Sequence, residues 1–130
     1  MLVHQAACVL LKDVERRLAE LSLTSRGYFV LDGIDRDRPP SQQDLARLLG
    51  IDPNSMVTTI DELEGAGLVI RRRSPLDRRR YELHLTDAGR RALSAADSAM
   101  ESAEDVVFAS LGPAERDELA ALLRPVVPGQ

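Results

Sequence analysis

A chain of 130 residues with 17 Lys+Arg against 21 Asp+Glu has the length of one domain and a net charge of −4. No window approaches the roughly 18 to 20 consecutive apolar residues of a membrane span, and the start MLVHQAACVLLKDVERR lacks the charged opening and small-residue cleavage site of a signal peptide, so a cytoplasmic protein is expected. A single cysteine, Cys8, excludes an intramolecular disulfide framework and a thiolate-built zinc site, and neither metal nor cofactor is expected.

Leu2, Val9, Leu10, Val14, Leu18 and Leu21 keep a helical spacing through residues 2–21, with Lys12, Asp13, Arg16 and Arg17 between them, which predicts an amphipathic helix. Leu23-Thr24-Ser25 offers an N-cap to a second, more apolar helix, GYFVLDGI, ending near Gly33 or Ile34. Pro39 and Pro40 then break the chain, because they disfavour helix before themselves and donate no backbone hydrogen bond. Ser41 reads as the next N-cap, with Asp44 three residues on in a shortened capping box, Leu45, Leu48 and Leu49 as the apolar face and Gly50 as the stop. Asp52 caps the following helix, Pro53 suits its first position, and Met56, Ile60 and Leu63 mark its buried stripe until Gly65 and Gly67. Two short helices across the turn Gly50-Ile51-Asp52 are the sequence form of a helix-turn-helix.

Past Leu68-Val69-Ile70 the pattern changes to alternation. Tyr81, Leu83 and Leu85 are expected to face inward while Arg80, Glu82, His84 and Thr86 face outward, and Val69 to Arg73 is the partner strand across a loop holding Pro75 and Asp77. A basic hairpin directly after a helix-turn-helix makes a winged helix, so the fold expected is mainly α with a small β hairpin. Thr86 caps a long helix whose stripe, Leu93, Ala96, Met100, Ala103 and Val107, continues to about Leu111. After Gly112-Pro113 a last helix, about Ala114 to Val126, carries Leu119, Leu122 and Leu123 ahead of the Pro128-Gly129-Gln130 tail.

The charge is unevenly spread. Between Arg71 and Arg91 lie eight arginines against three acids, a local net of +5 in an acidic chain. That is the signature of a local polyanion site, although a solvated charged face is the ordinary alternative. On the helix after Pro53, the polar positions away from Met56, Ile60 and Leu63 are Asn54, Ser55, Thr58, Asp61 and Glu62. The first three sit toward the N-terminal end, the part of a recognition helix that reaches base edges in the major groove. The hairpin arginines would enter the minor groove, where guanidinium meets a focused negative potential. Arg90 and Arg91 oppose the dipole of the helix capped by Thr86 by about 0.3 to 1 kcal/mol, which a phosphate between them and the wing would offset.

The segment Ser41 to Gly89 resembles the winged helix-turn-helix of the MarR family of bacterial transcription regulators. The match lies in Asp77-Arg78-Arg79 of the wing, Leu85-Thr86 before the long helix, Asp61, Leu63 and Glu64 of the recognition helix, and LTSRGYFVL from Leu23 to Leu31. The resemblance implies a two-fold dimer held by its terminal helices, each winged domain reading half of a pseudo-palindromic operator, and release by a small-molecule effector. It divides the chain into an N-terminal dimerisation helix (1–22), a winged helix-turn-helix (23–91) and C-terminal dimerisation helices (92–130). By the same resemblance Asn54, Ser55 and Thr58 match major-groove positions, Arg79 the wing-tip arginine, and Asp77 the acid that orients it. With Ser41, Pro53, Arg73, Arg78, Arg80 and Arg90 these make the candidate contacts to double-stranded DNA. Thr58 and Glu62 stand where the family often has a basic residue, so this helix should lean more on its wing. An effector pocket is implied between the dimer helices and the winged domain, with Tyr28, His4 and Cys8 as candidate lining residues.

Rival functions fare less well. His4, His84 and Cys8 supply no catalytic constellation beyond the carboxylates, so no enzyme is expected, and Tyr81 is the one aromatic near the wing, too few for a single-strand stacking platform. A protein-interaction winged helix and a redox-sensing regulator using Cys8 are the alternatives.

Overall fold

The computed structural model describes residues 1–127. Six helices and one hairpin follow one another as α1 (Leu2–Glu20), α2 (Ser25–Ile34), α3 (Gln42–Leu49), α4 (Pro53–Gly65), β1 (Val69–Arg73), β2 (Tyr81–Leu85), α5 (Asp87–Val107) and α6 (Pro113–Leu123), closed by a 3₁₀ turn at Arg124–Val126. The strands pair antiparallel, with Val69 opposite Leu85 and Arg73 opposite Tyr81. The tail at 128–130 lies outside the described residues.

Local chemistry sets most of the boundaries. Thr24 accepts from the Gly27 N–H at 3.0 Å to open α2, and Thr86 accepts from Gly89 at 2.9 Å to open α5. The Thr86 hydroxyl also donates to the Gly67 carbonyl at 2.6 Å, and its N–H to the Leu68 carbonyl at 3.1 Å, so one residue ends the hairpin and starts the long helix. Gly89 makes that junction possible. A Cβ there would overlap the Leu68 carbonyl, so no side chain fits without moving the backbone.

Leu18, Val30, Leu31, Leu45, Met56, Ile60, Val69, Leu83 and Ala96 are fully buried and join helices and hairpin in one core. The expected stripe of α1 behaves differently along its length. Val14 and Leu18 are buried, whereas Leu2, Val9 and Leu21 are exposed. On α6 none of the residues is buried, and Leu122 and Leu123 are exposed. The terminal helices therefore carry apolar faces that the described residues do not cover.

Three expectations are corrected. The long helix ends at Val107, four residues short of Leu111, because Arg116 of α6 reaches back to the Asp105 carboxylate at 2.6 Å and the Phe108 carbonyl at 3.0 Å, capping α5 from outside. The last helix stops at Leu123, since Pro125 offers no N–H to continue the ladder and the chain tightens into the 3₁₀ turn. Tyr81 is 48 % exposed rather than inward. It shares the face of Leu83 and Leu85, but at the loop end of the hairpin its neighbours are the polar start of α3, Ser41 to Gln43, and not the core.

Candidate nucleic-acid interface

The helix-turn-helix rests on two polar caps and one left-handed residue. The Ser41 hydroxyl accepts from the Asp44 N–H at 3.1 Å, and the Asp44 carboxylate accepts from the Ser41 N–H at 3.3 Å, the reciprocal capping box. Gly50 adopts φ +65° and turns the chain, and Asp52 caps α4 by accepting from the Ser55 N–H at 2.9 Å. Hydrogen bonds from Ser41 hold the Asp44 carboxyl below the usual carboxylate range, and those from the Ser55 hydroxyl and N–H do the same for Asp52.

On α4, Met56, Thr59, Ile60 and Leu63 face the core, which leaves Asn54 and Thr58 on the exposed side one turn apart. Pro53 is exposed at the first position, and Ser55 is half-buried on the flank. Thr59, a residue the sequence pattern passed over, is buried because its hydroxyl donates to the Ser55 carbonyl at 2.8 Å. The Thr58 hydroxyl likewise donates to Asn54 O at 3.2 Å. Val57, between them and the exposed face, is 41 % exposed.

The wing is a stiff loop. Ser74 is buried, its N–H donating to the Arg80 carbonyl at 2.8 Å and its hydroxyl accepting from Leu76 N at 3.3 Å. Asp77 accepts from the Arg79 backbone N–H at 3.0 Å and, through its own carbonyl, from Arg80 N at 3.0 Å. Asp77 thus positions Arg79 through the backbone in an Asx-type turn. A backbone bond of 2.9 Å from Leu83 N to Pro40 O ties the wing to the start of α3. Leu76 is 95 % exposed at the loop tip.

The eight arginines separate into two groups. Arg71, on β1, donates to Glu64 at 2.9 Å, Asp61 at 2.8 Å and the Gln42 side chain at 3.2 Å, fastening the hairpin to α3 and α4. Arg80 reaches Ser41 and Asp44, both at 3.3 Å, and Arg73 donates to the Arg78 carbonyl at 2.7 Å while its guanidinium lies 5.1 Å from the Tyr81 ring centre. Arg90 pairs with Asp87 at 3.1 Å, which offsets part of its first-turn dipole cost from within the helix. Arg72, Arg78, Arg79 and Arg91 are exposed and form no ion pair among the described residues. The charge count alone does not separate the two groups. The Asp61 and Glu64 pair, three apart on one face of α4, is the sign in the sequence that part of the cluster is structural.

The candidate effector residues keep separate company. The Tyr28 hydroxyl donates to Asp97 of α5 at 2.8 Å, and burial followed by that carboxylate raises its pKa well above the ordinary tyrosine value. His4 Nε2 lies 3.6 Å from Cys8 Sγ at the start of α1. His84, expected at the surface, is half-buried and sits 3.4 Å from the Glu82 carboxylate. Two open concavities lie elsewhere: one of about 680 Å³ beside Gln42, Arg47, Ile51, Asp52 and Met56, and one of about 810 Å³ between α2 and α3, with Phe29 and Leu48 in its wall. No described helix is long and apolar enough to cross a membrane, and no cluster of metal-ligating side chains occurs among the described residues.

Comparison with known proteins places this geometry. The sequence model of the MarR family matches residues 23–81. A Thauera aromatica protein assigned to transcriptional regulation of the hcr operon is 36 % identical over 114 residues, which are 84 % of this chain and 69 % of that protein. Among solved structures, the transcriptional repressor CouR bound to a 23-mer DNA duplex superposes with a TM-score of 0.85 at 34 % identity, over 95 % of this chain and 88 % of its own. CouR from Rhodococcus jostii RHA1 bound to p-coumaroyl-CoA superposes with a TM-score of 0.83 at 27 % identity, over 99 % and 91 %.

Proposed function

The chain belongs to the MarR family and is a transcription regulator, and on that premise we propose that it is a repressor that binds a pseudo-palindromic operator as a two-fold homodimer. In this reading α4 enters the major groove and presents Asn54, Ser55 and Thr58 to base edges, and the wing lays Arg78 and Arg79 into the adjacent minor groove. The observation that carries it is the sorting of the arginines. In a chain of net charge −4, the arginines of the basic segment that form no ion pair among the described residues, Arg72, Arg78, Arg79 and Arg91, stand exposed on the hairpin and at the start of α5, which follow α4 directly. Ser41, Arg73, Asp77, Arg80 and Arg90 then serve mainly as supports that hold the reading elements, each already engaged within the chain.

Residues 1–22 and 92–130 supply the dimer, and the uncovered apolar faces of α1 and α6 support that assignment. Dimerisation joins two modest half-sites on one scaffold, so a weakly basic recognition helix still binds tightly. An effector acts near Tyr28, where α2 meets α5, so that a ligand there would shift the winged domain against the dimer helices. The protein works in the cytoplasm and is not an enzyme. The test is fluorescence anisotropy on duplex DNA from the promoter it occupies in its own cell. The wild type should bind tightly with a steep salt dependence, whereas equal affinity for that promoter and for mixed duplex at matched salt would refute the reading.

A further inference from the structure

On α4 one exposed position does not fit its surroundings. Asn54, Thr58, Asp61, Glu62 and Glu64 give the helix a polar outer side, yet Val57 stands among them at 41 % exposure, the one large apolar side chain that α4 leaves open. Isolated exposed apolar residues are common on protein surfaces. This one is not there for the helix, since a β-branched residue loses side-chain freedom against the preceding turn and ranks below alanine or leucine in helix propensity. It follows Asn54 by one turn and adjoins Thr58. Because the Thr58 hydroxyl donates to the Asn54 carbonyl at 3.2 Å, what Thr58 has left to offer a base edge is the accepting side of its oxygen and its methyl group. Val57 and Thr58 together make a small apolar patch beside an amide.

Base edges in the major groove are lined by hydrogen-bond donors and acceptors with one apolar exception, the C5-methyl of thymine. We infer that Val57 selects a thymine in each half-site by contact with that methyl, next to the base read by Asn54. The inference rests on the seating of α4 in the major groove proposed above. It adds to that reading a hydrophobic element of specificity that hydrogen bonds cannot provide, because they do not distinguish thymine from uracil at the methyl position.

The test uses a duplex selected by the wild-type full chain from randomised DNA, and a series in which symmetric thymine pairs are replaced, one pair at a time, by deoxyuridine. The change removes a methyl and leaves every hydrogen-bonding group in place. Burying one methyl corresponds to roughly fourfold in affinity, so one symmetric pair should weaken wild-type binding by about sixteenfold while the others have little effect. Val57→Ser should bind the thymine and uracil duplexes alike at that pair, and Val57→Ile should keep the discrimination. A wild type indifferent to uracil at every position, or a Val57→Ser protein with unchanged discrimination, would overturn the role of Val57. Asn54→Ala reports on the seating separately. If its selected motif is the same as that of the wild type, the placement of α4 itself is overturned; a changed motif without any uracil effect removes only the contact to thymine.

Discussion

Arg71 and Arg72 are neighbours in sequence with opposite work, and exchanging each for glutamine separates structure from binding. The Arg71 side chain is three-quarters buried and its guanidinium holds Asp61, Glu64 and Gln42, so Arg71→Gln removes two ion pairs and a third hydrogen bond that fasten β1 to α3 and α4. The two carboxylates are 57 % and 41 % exposed and recover water when released, which keeps each lost pair within the 0.2 to 1 kcal/mol usual for partly solvated pairs. With about 0.5 kcal/mol for the lost contact to Gln42 the sum is about 1 to 2.5 kcal/mol. For a domain of this size that corresponds to a fall in Tm of roughly 3 to 10 °C. Arg72 is exposed and unpaired among the described residues, so Arg72→Gln should leave Tm within about 1 °C while lowering DNA affinity and reducing the salt slope by about one. Thermal unfolding by circular dichroism at one fixed protein concentration, beside anisotropy titrations at several salt concentrations, reads both quantities. Equal Tm for Arg71→Gln and the wild type, or a loss with Arg72→Gln as large as with Arg71→Gln, would refute the division of the arginines.

Other positions give equally definite outcomes. Arg79→Ala should lower operator affinity by about 1 to 3 kcal/mol without changing Tm, measured by anisotropy at matched salt. Gly89→Ala should destabilise the fold by roughly 1 to 3 kcal/mol in urea titrations, since a Cβ there meets the Leu68 carbonyl and the junction must shift. Asp44 and Asp52 have folded pKa values held below their unfolded ones, so the stability they add is present above about pH 4 and is lost as pH falls through the folded values; thermal midpoints should drop over that acid range, and less steeply for Asp52→Asn. Deleting residues 114–130 should give monomers or aggregates by sedimentation that lose specific binding with every wing arginine present.

The parts of the fold legible in the sequence are those set by short-range bonds. Thr24 to Gly27, Ser41 to Asp44, Asp52 to Ser55 and Thr86 to Gly89 all close a helix start across three residues, so the boundaries follow from residue type and spacing alone. The end of α5 was not legible, because its cap is Arg116, supplied from the next helix. The candidate site divides in the same way. That the region after Arg71 is basic is plain from composition, but which arginines are free depends on partners 7, 10 and 29 residues away for Arg71, and 36 and 39 for Arg80. Alternation assigned Tyr81 the correct face of its strand and could not reveal that the core ends before it.

The most direct measurement of the proposed activity is selection by the full chain from a pool of duplexes with a randomised centre, followed by sedimentation of the complex on the winning duplex. The expected result is an inverted repeat with half-site centres about 10 base pairs apart. It should carry two chains per duplex and bind at least about a thousandfold more tightly than random DNA at the same salt. Failure to enrich any motif, or one chain bound to a single half-site with the affinity of the full repeat, would contradict a dimeric, sequence-reading regulator.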